Sequence, residues 1–252
     1  MLSYNVDTLE VIDYRNPSDF NNGNCTDHEG RIIRCQHGLR RVIREEKNGE
    51  ITVIADNYND KKLNSPNDVA VSKLGNIWFT DPPYGILTNQ EGHKSESEQD
   101  GNNLFMVDKD FKIKKINAKF DKPNGLAFSP NGKYLYVADS GAANPGNFDL
   151  SRPHNIQVFE LDDEENIISN KIFAEINDGF PDGMTVDVNG NLFVCDPKGE
   201  KIHIFESSSN YIGNINIPER VANCTFGGEN KTDLYITAST SLFRIKTLTQ
   251  GL

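Results

Sequence analysis

Three short segments of the chain place an oxygen-bearing side chain at the same point of a repeated pattern. Asn67, Asn124 and Asp182 each follow a proline, and the three prolines are 57 and 58 residues apart. Amide and carboxylate oxygens are the ligands that hard cations such as Ca²⁺ prefer, and no cysteine or histidine recurs at this point. The pattern therefore predicts a site for one divalent cation, provided that the fold brings the three side chains together.

The same residues also suit a plain turn, because Pro-Asn and Pro-Asp-Gly are ordinary turn sequences in which Asn and Asp bond their own backbone. The shared register favours a site, since a turn does not require an amide or carboxylate at the same distance before each strand. Asn22 keeps that register in an earlier and weaker copy of the pattern. We predict that Asn22 is a channel residue that contacts the substrate.

The elements that must position these side chains are short strands. Each segment is followed by a turn glycine and then by an apolar run, at residues 77–81, 135–139 and 192–196. Further strand-length runs follow in each copy, so that four short strands recur in units of about 40 to 57 residues, which is typical of β-propeller blades. The five units cover residues 22–56, 66–120, 123–176, 181–218 and 221–247, and residues 2–14 supply two more strands.

A propeller gives the repeated residues a common direction. The first strand of each blade lines the central channel, so equal positions in successive blades point toward one axis. Asp81, Asp139 and Asp196 end matching strands, and a role in the strand-end turn is the first interpretation of these carboxylates.

Composition and charge limit the classes of partner. The 252 residues carry 26 Lys and Arg against 37 Asp and Glu, a net charge of −11. This excess of negative charge disfavours nucleic acid and anionic membranes, which need clustered basic residues, and suits a protein that holds a cation. The apolar runs are strand-sized, and no basic segment followed by an apolar segment is present after Met1, so a cytoplasmic location is predicted.

Several runs are specific enough to carry a family resemblance. The most specific is Trp-Phe-Thr-Asp-Pro-Pro-Tyr-Gly at residues 78–85; the others are residues 21–24, 36–38, 40–42, 63–71, 123–130, 181–184 and 236–242. Together these runs resemble the gluconolactonase branch of the regucalcin-like (SMP-30/gluconolactonase, SGL) six-bladed propellers over essentially the whole chain. The resemblance implies an all-β, six-bladed propeller with four-stranded blades, one domain over residues 1–252, and a first blade that is incomplete at the N-terminus.

The resemblance also implies an activity and roles for the site residues. The family opens lactones at one divalent cation, usually Ca²⁺, with Zn²⁺ or Mg²⁺ as alternatives. By this likeness Asn124 and Asp182 are metal ligands, Asn67 contacts the metal or the substrate, and Asp182 also donates and accepts the proton. The implied substrate is a sugar-acid lactone.

Two departures from the family pattern keep other functions open. The metal-ligand Glu of the family's first blade has no counterpart, and Ser65 stands where regucalcin-type members have an arginine. Arg40 and Arg41 are expected on a solvated face. The alternatives are a non-catalytic binding or scaffold propeller, and an esterase or organophosphate hydrolase. Open strand edges in an incomplete propeller also predict a homodimer.

Overall fold

The computed structural model describes residues 1–144 and 147–252. The chain divides into two compact units, Met1–Asn117 and Ala118–Leu252. Almost all regular structure is antiparallel β-sheet, and the longest sheets have the four-strand order of a propeller blade. The first unit contains two such blades, and the second contains two together with a fifth blade of three strands.

The first unit begins with a hairpin and continues with two four-stranded sheets. The hairpin pairs β1 (Leu2–Tyr4) with β2 (Val11–Asp13). Blade 1 consists of β3 (Asn21–Thr26), β4 (Ile32–Gln36), β5 (Arg41–Glu45) and β6 (Ile51–Ala55). A small hairpin follows, formed by β7 (Asn57–Tyr58) and β8 (Lys61–Lys62). Blade 2 consists of β9 (Val69–Val71), β10 (Ile77–Asp81), β11 (Asn103–Val107) and β12 (Ile113–Lys115), with helix α1 (Tyr84–Leu87) between β10 and β11.

The second unit contains blades 3, 4 and 5. Blade 3 consists of β13 (Pro123–Phe128), β14 (Tyr134–Asp139), β17 (Asn155–Leu161) and β18 (Ile167–Glu175), with the small hairpin of β15 (Ala143–Asn144) and β16 (Asn147–Phe148) inserted. Blade 4 consists of β19 (Met184–Val186), β20 (Leu192–Asp196), β21 (Lys201–Phe205) and β22 (Tyr211–Asn216). Blade 5 has three strands, β23 (Val221–Gly227), β24 (Asp233–Ala238) and β25 (Leu242–Lys246).

The second strands of the blades are mainly apolar at their centres, where both faces are covered. All five residues of β10 and all five of β20 are buried. In the first unit Phe79 of β10 stacks on Phe105 of β11, with ring centroids 5.3 Å apart. In the second unit Tyr136 and Phe173 of blade 3 meet edge to face at 4.9 Å and pack with apolar residues of blade 4. These apolar layers give neighbouring blades of one unit a common core.

The turn glycines that the sequence places between the first and second strands fix the hairpin register. Gly75, Gly132 and Gly190 have φ values of +84°, +73° and +84°, a backbone conformation that favours glycine. Each is the third residue after a residue whose carbonyl accepts its N–H, as Ser72 does for Gly75 at 2.9 Å. The strands on either side of these turns pair with the same offset in blades 2 and 4, where Val71 faces Ile77 and Val186 faces Leu192, whereas the turn of blade 3 contains one more residue.

The all-β propeller class is confirmed, but the prediction of six four-stranded blades is wrong: the described residues form five blades, of which the fifth has three strands. The residues predicted to begin an incomplete first blade form the β1–β2 hairpin instead. Its strands have three residues each and pair only with each other in the described part of the chain. Leu2, Val11 and Ile12 remain 66%, 59% and 57% exposed, because two such short strands have no covered face like that of a blade.

The prediction of one domain over residues 1–252 stays a prediction. Within the described ranges, no helix has the length and apolar character that crossing a membrane requires.

Candidate functional site

In the first unit, the structure brings Asn22 and Asn67 together at the start of two neighbouring blades. Asn22 lies on β3, and the N–H of the next residue, Gly23, donates to the carbonyl oxygen of Asn67 at 2.8 Å. A Cβ atom on Gly23 would lie 2.6 Å from that same oxygen, so only glycine permits this approach. Asn22 and Asn67 therefore lie on backbone segments that contact each other directly.

In the second unit, Asn124 and Asp182 are brought together in the same way. Gly125 follows Asn124 on β13, and a Cβ atom there would overlap the carbonyl oxygen of Asp182. The N–H of Gly183 in turn donates to the carbonyl oxygen of Ala222 at 2.8 Å. Asn22, Asn124 and Asp182 thus each precede a glycine that contacts the next blade of its unit.

These contacts define a blade-start position, occupied in chain order by Asn22, Asn67, Asn124, Asp182 and Ala222. Only the fifth blade has a side chain there that cannot bind a cation or a hydroxyl group. The strands are irregular at this position, since the register of β3 shifts between Asn21 and Asn24 and that of β13 between Pro123 and Leu126. Such bulges redirect side chains and are frequent beside active sites.

The side chain of Asn67 is available to a ligand. Asn67 is 6% exposed as a residue, and no residue in the described ranges forms a hydrogen bond with its side chain, although its backbone N–H donates to the carbonyl oxygen of Thr80 at 2.8 Å. Its amide atoms are not among the fully buried atoms without a partner, so the amide remains accessible. Asn124 is similarly buried, at 7% exposure, and Asp182 is half-buried.

The side chains at the blade starts of each unit are of the kind that hard cations prefer. Asn124 and Asp182 offer an amide and a carboxylate oxygen in the second unit, and Asn67 offers an amide oxygen in the first, the ligands that Ca²⁺ and Mg²⁺ prefer. In the parts of the chain that the structure describes, no group of three or more His, Cys, Asp and Glu side chains is arranged to hold a metal. The four cysteines are free thiols. A cation held by Asn124 and Asp182 would therefore have one amide oxygen donor and one carboxylate from these two residues.

The strand-end carboxylates hold the segments that precede the blade-start residues. Asp81 Oδ2 accepts from the N–H of Asn64 at 2.8 Å, and Asp139 accepts from the N–H groups of Asp121 and Lys122 at 2.9 and 2.8 Å. Asp196 Oδ1 accepts from Gly199 at 2.9 Å and from Phe180 at 3.3 Å. Each carboxylate therefore ties the end of the second strand to the backbone two or three residues before the blade start.

Burial affects these carboxylates differently. Burial raises the pKa of Asp81 to about 7 and also raises the pKa of Asp139. The pKa of Asp196 is lowered, because the opposing effect of burial is outweighed by hydrogen bonds from His203 and from backbone N–H groups. The backbone N–H donors hold these groups in place whichever protonation state each adopts.

Ser65 and Arg40 both form hydrogen bonds with backbone groups of the first unit. Ser65 Oγ donates to the carbonyl of Pro82 at 2.6 Å and accepts from the N–H of Gly85 at 2.9 Å. The expectation of a solvated face is wrong for Arg40, whose Nε donates to the carbonyl of Leu63 at 2.6 Å. Its side chain is only 12% exposed, and the residue lies in the turn between β4 and β5, with a positive φ of 54°.

His37 is the site residue that the sequence analysis missed. It follows the end of β4, is 2% exposed, and lies 3.1 Å from the side chain of Asn22 (Nε2 to Nδ2). Burial lowers the pKa of His37 to about 4. The run at residues 36–38 contributed to the family resemblance, but nothing in it indicated which side chain His37 contacts.

Together, the repeated blades and their oxygen-bearing starts define a β-propeller with a candidate ligand site at the first strands. A family model described as "SMP-30/Gluconolactonase/LRE-like region" matches residues 7–240. The chain belongs to this family.

Two gluconolactonases are similar to the chain over almost all of its length. A gluconolactonase of Zymomonas mobilis is 35% identical over 260 residues, which cover 99% of this chain and 68% of the relative. A solved structure from Xanthomonas campestris, described as a gluconolactonase important in glucose secondary metabolic pathways, is 32% identical with a TM-score of 0.85. That match covers 97% of this chain and 77% of the solved one.

Regucalcins are more distant relatives. Human regucalcin is 28% identical over 198 residues, which cover 77% of this chain and 60% of the relative. The solved structure of a regucalcin from Agrobacterium tumefaciens, described as a calcium-binding protein, has a TM-score of 0.78 at 15% identity and covers 100% of this chain and 83% of that one. This second likeness shows the fold alone.

Proposed function

We propose that the chain hydrolyses a sugar-acid lactone with the help of one divalent cation, Ca²⁺ being the first candidate and Zn²⁺ or Mg²⁺ the alternatives. The gluconolactonase relatives support a lactone-hydrolysing enzyme. The observation that carries the proposal is the recurrence of an oxygen-bearing side chain at the blade starts, as Asn67, Asn124 and Asp182, together with the close backbone approach of Gly125 to Asp182. Each of these side chains offers an oxygen that a ligand could contact.

Asn124 and Asp182 would hold the cation, and Asn67 would bind either the cation or the substrate. When bound, such a cation polarises a carbonyl oxygen and lowers the pKa of water. The backbone contacts described above hold these residues before any ligand arrives. The N–H of Asp182 donates to Cys195 at 2.8 Å, so the carboxylate starts from a fixed backbone position.

Asp182 is the residue that would move the proton. Its carboxylate would accept a proton from the attacking water and return it to the ring oxygen that leaves as a hydroxyl. Asn22 and Asn67 would bind substrate hydroxyl or carbonyl groups and orient the ring. Since all four side chains are short and attached to strand starts, their positions are set mainly by the backbone.

The test is acid release from glucono-δ-lactone by wild type and by Asp182→Asn. We expect the variant to lose at least about a hundredfold in kcat/KM, the scale of a lost acid–base group. The matched control is Asp163→Asn, which makes the same chemical change at an exposed turn. Wild type should also lose activity in EDTA and regain it with Ca²⁺ or Zn²⁺.

Each outcome separates the candidate functions. Activity that survives both chelation and Asp182→Asn would rule out the proposed mechanism. If the protein hydrolysed aryl esters or organophosphates but not the lactone, it would still be a hydrolase, and only the proposed substrate would be wrong. Lactone binding without turnover would favour a binding or scaffold propeller.

A further inference from the structure

The imidazole of His37 is held on several sides inside the first unit. The backbone N–H of His37 donates to Phe20 at 3.1 Å. A Cβ atom on Gly85 of helix α1 would lie 2.6 Å from Cβ and 2.8 Å from Cγ of His37, so the helix backbone packs directly on the start of the side chain. The ring nitrogen Nδ1 lies 3.1 Å from the carbonyl oxygen of Glu91. These contacts leave the imidazole little freedom to rotate.

The contact with Glu91 decides which ring nitrogen carries the proton. A backbone carbonyl oxygen can only accept, so Nδ1 must be the donor. Burial disfavours the charged imidazolium, which leaves Nε2 without a proton and therefore as an acceptor. The side-chain atom of Asn22 that lies 3.1 Å from Nε2 must then be the amide nitrogen Nδ2.

This hydrogen bond also determines where the other end of the Asn22 amide points. With Nδ2 donating to His37, the oxygen Oδ1 faces away from the ring. Asn22 is an exposed residue, and Oδ1 has no hydrogen-bond partner within the ranges that the structure describes. The backbone of Asn22 is fixed as well, because the side-chain amides of Asn21 and Asn24 donate to its carbonyl at 3.1 and 2.7 Å.

We propose that His37 is a positioning residue, which holds the amide of Asn22 so that Oδ1 accepts a hydrogen bond from a hydroxyl group of the substrate. The substrate class is then a lactone with ring hydroxyl groups rather than a plain aliphatic lactone. This inference rests on the proposed function for its substrate, whereas the orientation of the amide rests on the geometry alone. A protonated or reversed His37 would present the amide nitrogen instead, and that group cannot accept from a hydroxyl.

The first experiment determines which ring nitrogen of His37 carries the proton. Long-range ¹H–¹⁵N spectra of ¹⁵N-histidine-labelled wild type near neutral pH, with His37→Phe used for assignment, should show a protonated Nδ1 and an unprotonated Nε2. The exposed His28 serves as the internal reference for a histidine in water. A protonated Nε2 would overturn the inference, whether or not the protein hydrolyses lactones.

The second experiment is a double-mutant cycle with Asn22→Ala and His37→Phe, measured with glucono-δ-lactone. Each single variant should lower kcat/KM about tenfold, the scale of one hydrogen bond, and the double variant should be no worse than Asn22→Ala. His37→Gln, which keeps an acceptor for the amide, should recover part of the loss. With δ-valerolactone, which has no ring hydroxyl groups, the loss caused by His37→Phe should be at least about threefold smaller.

Additive losses in the cycle, or equal losses with both lactones, would show that His37 supports the fold rather than the Asn22 amide. If wild type does not turn over lactones, the proposed function fails, and the inference is then decided by titration with D-gluconate and pentanoate, which has no hydroxyl group. D-Gluconate should shift the Asn22 side-chain amide signal in wild type but not in His37→Phe, and pentanoate should shift it in neither. Equal shifts in both proteins would overturn the inference.

Discussion

Asp81 differs from the other strand-end carboxylates, because only one of its two oxygens accepts a hydrogen bond in the described part of the molecule. Oδ2 accepts from Asn64, but Oδ1 is buried and has no hydrogen-bond partner in the described part of the molecule. Burial raises the pKa of Asp81 to about 7. The charge of Arg40 acts in the opposite direction, but its effect is much smaller than that of burial. The protonated carboxyl is consequently favoured in the folded state well above the pH at which an exposed aspartate ionises.

This shift predicts a dependence of stability on pH. Because the folded-state pKa of about 7 exceeds the ordinary aspartate value of 3.8, the unfolded chain releases a proton between about pH 4 and 7 that the folded protein keeps. The free energy of unfolding therefore falls as pH rises from about 4 to 7, by about 1.4 kcal/mol per pH unit if Asp81 alone contributes. Asp81→Asn, which mimics the neutral carboxyl, should remove this decline in urea unfolding.

The control is Asp110→Asn, which makes the same change at an exposed turn and should leave the pH dependence as in wild type. The quantity to compare is the difference between variant and wild type at each pH, since other groups titrate in both proteins. Parallel curves for wild type and Asp81→Asn would contradict the assignment of the proton to Asp81.

At the scale of elements, the contacts between first strands explain why glycine follows three of the four polar blade-start residues. Gly23, Gly125 and Gly183 each lie against the backbone of the next blade start in their unit. Their backbones can approach this closely because no Cβ intervenes. The glycines therefore set the distance between the segments that carry the site, although their own side chains take no part in it.

Gly125→Ala should separate Asn124 from Asp182. The added Cβ would overlap the carbonyl oxygen of Asp182 and the Cα of Gly183, and backbone cannot move aside as a flexible side chain can. We expect a loss of about 1 to 3 kcal/mol in the free energy of unfolding and a fall of about ten- to a hundredfold in kcat/KM for glucono-δ-lactone.

The matched substitution is Gly101→Ala, where the nearest atom to an added Cβ is Asn103 Oδ1 at 4.0 Å. This variant should stay within about 0.5 kcal/mol of wild type and keep its activity. Equal effects of the two substitutions would mean that the close approach at Gly125 does not control the site.

At the scale of the whole molecule, the net charge of −11 attracts cations to many surface carboxylates, so binding of Ca²⁺ as such is not evidence for a site. A specific ion must stabilise the folded chain through the blade-start residues. Substitutions that leave the charge unchanged separate the two effects, because surface attraction depends on the charge and the proposed site depends on an amide oxygen.

Ca²⁺ should therefore raise the thermal midpoint of wild type more than that of Asn124→Ala. At a concentration one hundred times the dissociation constant, binding stabilises the folded state by about 2.7 kcal/mol, or about 5 to 10 °C for a chain of this length. Asn48→Ala, at an exposed turn, should respond like wild type. If Ca²⁺ raised the thermal midpoint of Asn124→Ala as much as that of wild type, attraction to surface carboxylates would be the only remaining explanation.

The local structure and its repetition can be predicted from the amino-acid sequence. Alternating turn glycines and apolar runs are local signals, so the second strands at residues 77–81 and 192–196 and the class of fold could be predicted from them. The shared register of Asn22, Asn67, Asn124 and Asp182 likewise came from spacing alone; their roles in binding and catalysis stay predictions.

Features that depend on contacts between residues distant in sequence required the three-dimensional structure. Likeness to a family predicts that residues 2–14 belong to a sixth blade, whereas pairing shows a separate hairpin with exposed apolar side chains. The expectation of a solvated face for Arg40 is wrong because its contact with Leu63, 23 residues away along the chain, is not visible in the sequence. The role of His37 depends on Glu91, 54 residues away along the chain, because a carbonyl oxygen there fixes the proton on Nδ1 and so orients Asn22.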